Sequence, residues 1–496
     1  MLHIISPFRN DWISFIVLFF GIIGLIGLSE LIRIKLGWKP EVNRKLVHVL
    51  VGSMALISPF IFVSNIPPTI LGLIFLLINL FAIKTKFLGG IHSTKRKTYG
   101  TVYFPLAYVL LCIFWWDRQI TFQISLLILT FADTTAALIG ENCESPHLFQ
   151  PWRDKKSIQG SLAMGIISIL LTYFGTILYR NLSGIDPLEF NFLFPLCFIV
   201  GLISTFAEML SDSGSDNLSV PIMSAMTYDL YFFMTNNGEI TIFYIWALIS
   251  FLLILLFIKL NILTIDGALG AFIMGLFIFG SGGWKFIVPI GLFFLTSSLL
   301  SKVLKNDKYQ EFESFTKNSN RDLVQVYANG GVPMLISILW LYNPSEILYI
   351  AFLASVASAT ADTWATEIGI FTKMAPRNCI SFRKLKPGVS GGITLFGTIG
   401  SLFGALIIGL SAQYFLQSSA EILLVLLAGF TASIFDSVLG ATVQATYSCS
   451  KCGKRLEKSK HCKKDANLVS GSKIITNDMV NLLSNVSGAM IIILIV

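Results

Sequence analysis

Apolar runs of about 20 residues, the length that crosses a hydrocarbon core, follow one another along the whole chain and are broken only by short polar segments. They can be drawn at 12–32, 46–63, 68–83, 102–116, 120–140, 158–179, 190–210, 218–234, 240–258, 262–280, 285–303, 323–341, 346–370, 391–413, 420–445 and 479–496. The pattern predicts an all-α polytopic membrane protein with about 16 transmembrane helices, of which 102–116 and 218–234 are short.

Composition points the same way: 54% of the 496 residues are hydrophobic and 13% charged, against about 45–50% and about 25% in soluble domains. Short loops rich in Lys and Arg stay cytoplasmic, which tests the drawing. With the N terminus outside, every Lys and Arg except Arg9, Arg118, Arg180 and Lys285 falls on an inner loop. The net charge of +8 is therefore expected to set orientation and attract anions. No basic-aromatic patch points to nucleic acid.

Two segments are near-copies: Phe131-Ala-Asp-Thr-Thr-Ala-Ala-Leu-Ile-Gly140 and Thr360-Ala-Asp-Thr-Trp-Ala-Thr-Glu-Ile-Gly369. Each sets an aspartate, Asp133 or Asp362, at the end of an apolar run, where an ionisable group is costly and seldom kept without a task. Asp133 to Asp362 is an offset of 229, Lys156 to Lys386 of 230, and Glu208 to Asp436 of 228. Asp216-Asn217 answers Asn477-Asp478, and Arg44 answers Arg321. The expectation is two related halves of like orientation, 1–259 and 260–496, rather than the inverted repeats of many transporters.

All these landmarks fall at one end of their spans, the cytoplasmic end on the charge count. Carboxylates there suit Mg²⁺, which takes oxygen ligands and is commonly shared between one or two acids and substrate phosphates. Lys, Arg and glycine-loop amides suit the phosphates, and both halves carry such a loop, Lys156-Ser157 with Gly160-Ser161, and Lys386 with Gly388, Ser390 and Gly391. A lone acid at a span end is as well explained by capping, and His48 alone by a hydrogen bond within the helices. Repetition is what favours chemistry. Of seven cysteines, four are isolated; Cys449, Cys452 and Cys462 gather with His461 in a loop (449–471), a set that could close a structural tetrahedral zinc site.

The N-terminal half resembles the phytol kinase and dolichol kinase family of CTP-dependent membrane lipid kinases. The resemblance is carried in order by Arg44-Lys45-x-x-His48, Asp133-Thr-x-Ala136 with Gly140, Lys156-Ser157 with Gly160-Ser161, and Glu208 through Asp216-Asn217 to Pro221. It departs at Gln159, where the family usually has Glu. The C-terminal half is similar to the family that includes plant phytyl-phosphate kinase, through Asp266-Gly-Ala-Leu-Gly270, Arg321, Ala361 to Glu367, Lys386 to Gly392, Asp436 to Thr442, and Asn477-Asp478 with Asn481. Together the resemblances imply one chain that phosphorylates a prenyl alcohol and then its monophosphate, with Mg²⁺ and CTP as donor. In that reading Asp133 and Glu208, and Asp362, Glu367 and Asp436, act on metal or proton, while Arg44, Lys156, Arg321 and Lys386 hold phosphates. A cytidylyltransferase forming a CDP-lipid and a transporter with parallel repeats are the alternatives.

Overall fold

The computed structural model describes residues 10–85, 98–303, 320–372, 374–385, 389–453, 455–462 and 464–495. In hydrocarbon a backbone polar group has no water to bond, so the apolar runs satisfy themselves as helices. The helices are α1 (Asp11–Leu36), α2 (Pro40–Ile61), α3 (Ile66–Thr85), α4 (Gly100–Phe114), α5 (Gln119–Asn142), α6 (Ile158–Leu182), α7 (Phe190–Met209) and α8 (Asp216–Asn236). They continue as α9 (Ile240–Lys259), α10 (Ile265–Gly282), α11 (Trp284–Val303), α12 (Leu323–Tyr342), α13 (Glu346–Phe371), α14 (Leu395–Ser411), α15 (Ser419–Thr442) and α16 (Asn477–Ile495).

Each apolar run of the sequence becomes one of these helices, and 13 of them are long and apolar enough to cross a membrane. The three that fall short do so for visible reasons. α4 and α14 are brief, and α8, at 21 residues, is diluted by Asp216, Asn217, Ser224, Thr227 and Asp229.

The chain divides after Gly238 into two compact units, so α9 belongs with the second. In the first unit α5 is the central helix, with Phe122, Ile124, Leu126, Ile128 and Leu129 almost wholly buried. In the second unit α13 is central: every residue from Tyr349 to Ala361 is buried. Much of that run is Ala and Ser, small side chains that let neighbouring helices approach closely. Each central helix carries one of the repeated aspartates near its end.

Short strands tie the turns after these helices. β1 (Leu148–Phe149) pairs antiparallel with β2 (Lys156–Ser157), and β3 (Arg377–Asn378) with β4 (Gly392–Ile393). Between α15 and α16 lies a finger in which β5 (Thr446–Ser448) sits between β6 (Arg455–Leu456) and β9 (Asn467–Ser470), with β7 (Lys460–His461) paired to β8 (Lys464–Asp465).

The same helix crossing appears in both units. Ser157 caps α6, accepting from the Gly160 N–H at 3.1 Å, and Thr394 caps α14, accepting from the Gly397 N–H at 3.0 Å. A Cβ on Gly140 would stand 3.6 Å from Gly160 Cα, and one on Gly369 would stand 3.7 Å from Gly397 Cα. Backbone thus meets backbone at both crossings, a contact glycine permits. Gly140 and Gly369 keep the offset of 229, but Ser157 and Thr394 differ by 237. Ile393, and not Lys386, therefore stands where Lys156 precedes its helix.

Candidate active site

In the first unit the aspartate helix is locally rewound. Residues Ile128–Ala132 form a π-helical stretch ending at Asp133, a feature that holds one more residue per turn and is frequent at functional sites. His48 on α2 donates from Nε2 to the Leu129 carbonyl within that stretch at 3.0 Å. His48 therefore braces the turn that carries Asp133.

A cavity of about 630 Å³ opens beside it. Its polar end collects Arg44 and His48 from α2, Asp133 from α5, Lys156, Ser157, Gly160 and Ser161 at the start of α6, Glu208 near the end of α7, and Asp216 and Asn217 at the start of α8. Every first-half candidate thus lines one space. Its apolar arm runs between α1 and α4, from Ile26 to Leu18, Val47 to Ala55, Asn79 to Leu71 and Gly100 to Tyr108. Each stretch advances eight residues, about 12 Å of helix, so the four walls descend together. Gly214, at φ 90°, lets the loop before α8 press against the Gly100 backbone and close the polar end. Tyr99 fixes that contact, its N–H donating to the Ser213 carbonyl at 2.8 Å.

Lys156 ties the polar end together. Its ammonium donates to Glu208 Oε1 and, at 2.9 Å, to Ser211 Oγ. Ser211 in turn donates to Asp216 at 3.4 Å. Burial by itself would lower the Lys156 pKa, but the charges of Glu208 and Asp216 outweigh it and hold it above the ordinary lysine value. Asp133 feels the charges of Asp216, Glu208, Lys156 and Arg44. Glu208 Oε2 is buried with no hydrogen-bond partner among the described residues. Lys45 pairs with Glu141 at the rim, and both line the cavity.

The second unit builds a different set. The carboxyls of Asp362 on α13 and Asp436 on α15 lie within hydrogen-bonding reach of each other. Asp436 Oδ2 is buried and has no partner among the described residues. Glu457, from the finger, interacts by charge with Asp436 and with Asp478 on α16, and accepts a hydrogen bond from Ser390. Burial raises the Glu457 pKa; Ser390 offsets part of that and Asp478 adds to it. Gly391, at φ 75°, packs its backbone on Ala441 of α15, which carries Ser390 to the acids.

Two other second-half candidates, Glu367 and Arg321, stand apart from this group. Glu367 accepts from Ser301 on α11 and feels Arg321; five residues beyond Asp362, it is turned about 140° around α13, so it does not join Asp362 and Asp436. Arg321 lies over the rings of Phe293 and Phe294, at 5.6 and 5.2 Å, and burial lowers its pKa to about 10. Asn477 is exposed, and Asn481 is one turn further along α16 from Asp478. Lys386 and Gly388 lie outside the described residues.

Cys449, Cys452, His461 and Cys462 converge, one ligand atom from each lying within 4.8 Å of all the others. Tetrahedral zinc with sulfur at about 2.3 Å requires ligand separations of about 3.8 Å, so the set fits such an ion after a small contraction. His461, followed by the backbone N–H groups of Cys452 and Lys451, pulls the Cys449 thiol down to about 6, toward the thiolate a metal binds.

Sequence reasoning missed Glu457, Ser211 and the Lys45–Glu141 pair. Glu457 sits inside the Cys/His loop, where a metal reading drew attention to its neighbours alone.

The family described as Integral membrane protein DUF92 matches residues 248–489. An uncharacterised membrane protein of Methanocaldococcus jannaschii is 31% identical over 199 residues, 40% of this chain and 82% of its own length. Protein PGR of Arabidopsis thaliana is 28% identical over 252 residues, 46% of this chain and 86% of its own. A phytol kinase of Synechocystis is 28% identical over 212 residues, 41% of this chain and 85% of its own. No solved structure matches the chain.

Proposed function

Since the chain belongs to the DUF92 family of integral membrane proteins and has a phytol kinase among its relatives, we propose that it is a membrane prenyl-lipid kinase. On this reading the first unit phosphorylates a prenyl alcohol and the second phosphorylates the resulting monophosphate. The observation that carries it is the first cavity, whose charged end and apolar arm suit a molecule with a reactive head and a hydrocarbon tail. The tail lies along α1 to α4, and the hydroxyl reaches the Asp133 carboxylate. Its oxygen attacks the γ-phosphorus of a nucleoside triphosphate while the bond to the β-phosphate oxygen breaks. The proton passes to Asp133 and the nucleoside diphosphate leaves.

Phosphoryl transfer needs positioning and charge neutralisation more than covalent help. Lys156 and Arg44 supply positive charge to the phosphates, and the first turn of α6, capped by Ser157, supplies amides. The resemblance favours CTP as donor. Asp216 and the unpartnered Oε2 of Glu208 offer carboxylate oxygens of the kind Mg²⁺ takes, and the ion would neutralise phosphate charge when bound. In the second unit Asp362 and Asp436 take the corresponding place, with Ser390 beside them. Both sites face the cytoplasm on the charge distribution of the loops.

The test is product analysis by mass spectrometry after the purified protein meets several prenyl alcohols with CTP, ATP, GTP or UTP. Monophosphate and diphosphate with release of nucleoside diphosphate are expected. Pyrophosphate release with a CDP-lipid product would replace this reading with nucleotidyl transfer, and the absence of any lipid product would refute it.

A further inference from the structure

The finger between α15 and α16 contains two things the proposed reaction does not account for: a convergent Cys3His set and a carboxylate reaching back to the acids of the second unit. Its base is anchored without them. The Ala445 N–H donates to the Ile475 carbonyl at 2.8 Å, and the Ser472 N–H to the Val443 carbonyl at 3.0 Å. Its outer part is not. Among the described residues the buried cluster there is Ala445, Tyr447, Cys449 and Leu456, flanked by Ala466, and the strands run to two, three or four residues. So small a core cannot offset the entropy of ordering the loop. Small folds of this kind are commonly completed by a structural metal, whose binding energy becomes folding energy.

Glu457 follows Leu456 directly, between the Cys452 and His461 ends of the set. It accepts from Ser390 and interacts by charge with Asp436 and Asp478. The order of the outer finger thus decides whether this carboxylate is present at the Asp362–Asp436 pair, where the buried Asp436 Oδ2 still has no partner among the described residues.

We propose that Cys449, Cys452, His461 and Cys462 bind one tetrahedral thiophilic divalent ion of the zinc class. The finger it closes delivers Glu457 to Asp362 and Asp436 as the positioning carboxylate of the second site, clamping the Ser390 loop. The second half of this statement rests on the function proposed above; the metal site does not.

The experiment uses the full chain, purified without added metal. Elemental analysis counts zinc, hydrogen exchange follows the peptide containing Ser390, and turnover is measured separately with a prenyl alcohol and a prenyl monophosphate. The wild type is expected to carry one ion per chain. Cys452→Ser with Cys462→Ser should lose the ion, and Glu457→Gln should keep it. Both variants should exchange faster at Ser390 and lose monophosphate phosphorylation by about tenfold or more, the scale of outer-shell supports, with alcohol phosphorylation unchanged. A wild-type chain free of zinc-class metal overturns the metal site. A metal-loaded Glu457→Gln with unaltered exchange at Ser390 and unaltered monophosphate turnover overturns the delivery role. Should the wild type phosphorylate neither lipid, the proposed function fails by itself, and metal content with exchange at Ser390 still decides the finger.

Discussion

Both units make the same crossing, with a central helix that carries an aspartate nine residues before its last, a strand-tied turn, and a capped helix whose third residue touches a glycine of the first. They then furnish it differently. In the first unit Lys156 stands just ahead of the cap and meets Glu208, so acids and cation share one pocket with an apolar arm. In the second unit Ile393 holds that place, and Asp362 faces Asp436 with Glu457 close by. The crossing fixes where acids stand. What faces them decides the ligand: an acid–cation pocket suits an uncharged alcohol beside a nucleotide, whereas facing carboxylates call for a cation carried in with an already phosphorylated substrate.

The sharpest way to break this comparison is to remove one aspartate at a time. Asp133→Asn should lower alcohol phosphorylation by about a thousandfold, within the range for a positioned proton acceptor, and leave monophosphate phosphorylation intact. Asp362→Asn should do the reverse. Membranes assayed with radiolabelled nucleotide and each lipid in turn would show this; loss of both activities in either variant dissolves the distinction between the units.

Lys156→Met should cost about a hundredfold on the alcohol alone, as loss of a preorganised charge does. Its pH behaviour follows from the raised pKa. The ammonium, and the stability its pairing contributes, is fully present below the ordinary lysine pKa and is lost only as pH rises through the higher folded value. Alcohol turnover should therefore show no fall from this group between neutrality and about pH 10. A clear drop across that window would mean Lys156 is not held by Glu208 and Asp216.

Lengthening a side chain at the floor of the apolar arm, Ala55→Phe, should lower turnover of long prenyl alcohols relative to short ones by about tenfold, a pocket-scale effect. Equal losses on both would take the tail out of the arm. His48→Ala leaves the Leu129 carbonyl unpaired and should cost about 1–2 kcal/mol of stability, read as a lower melting temperature. A loss of turnover comparable with that of Asp133→Asn would make His48 a reacting group instead of a brace.

Most of this was legible in the chain. Apolar length located every described helix of more than 14 residues, and all ten candidate residues of the first half, from Arg44 to Asn217, meet in one cavity. What escaped has physical causes. The π-helical stretch before Asp133 leaves no trace in apolar periodicity, because one added residue shifts the pattern by less than local variation does. The resemblance grouped Glu367 with Asp362, but the helix turns it to Ser301. Matching lysines suggested an offset of 230, whereas the caps Ser157 and Thr394 stand 237 apart: the helix contact, and not the lysine spacing, is what the two units share. Glu457 is far in sequence from the acids it joins, and long-range proximity of that kind is set by the finger's pairing.

The touching glycines of α5 and α6 also bear on how a lipid gets in. Where two backbones abut, neither helix can slide or roll without a collision that no side-chain rotation relieves. Those two helices are the stator. The wall they face includes α1, mostly exposed along its length, with Leu18, Ile22 and Ile26 as its contribution to the arm. If the arm takes a lipid tail as proposed, exchange with the bilayer is expected past α1 rather than past the α5–α6 crossing, and a crosslink joining α1 to α2 should trap whatever the arm already holds.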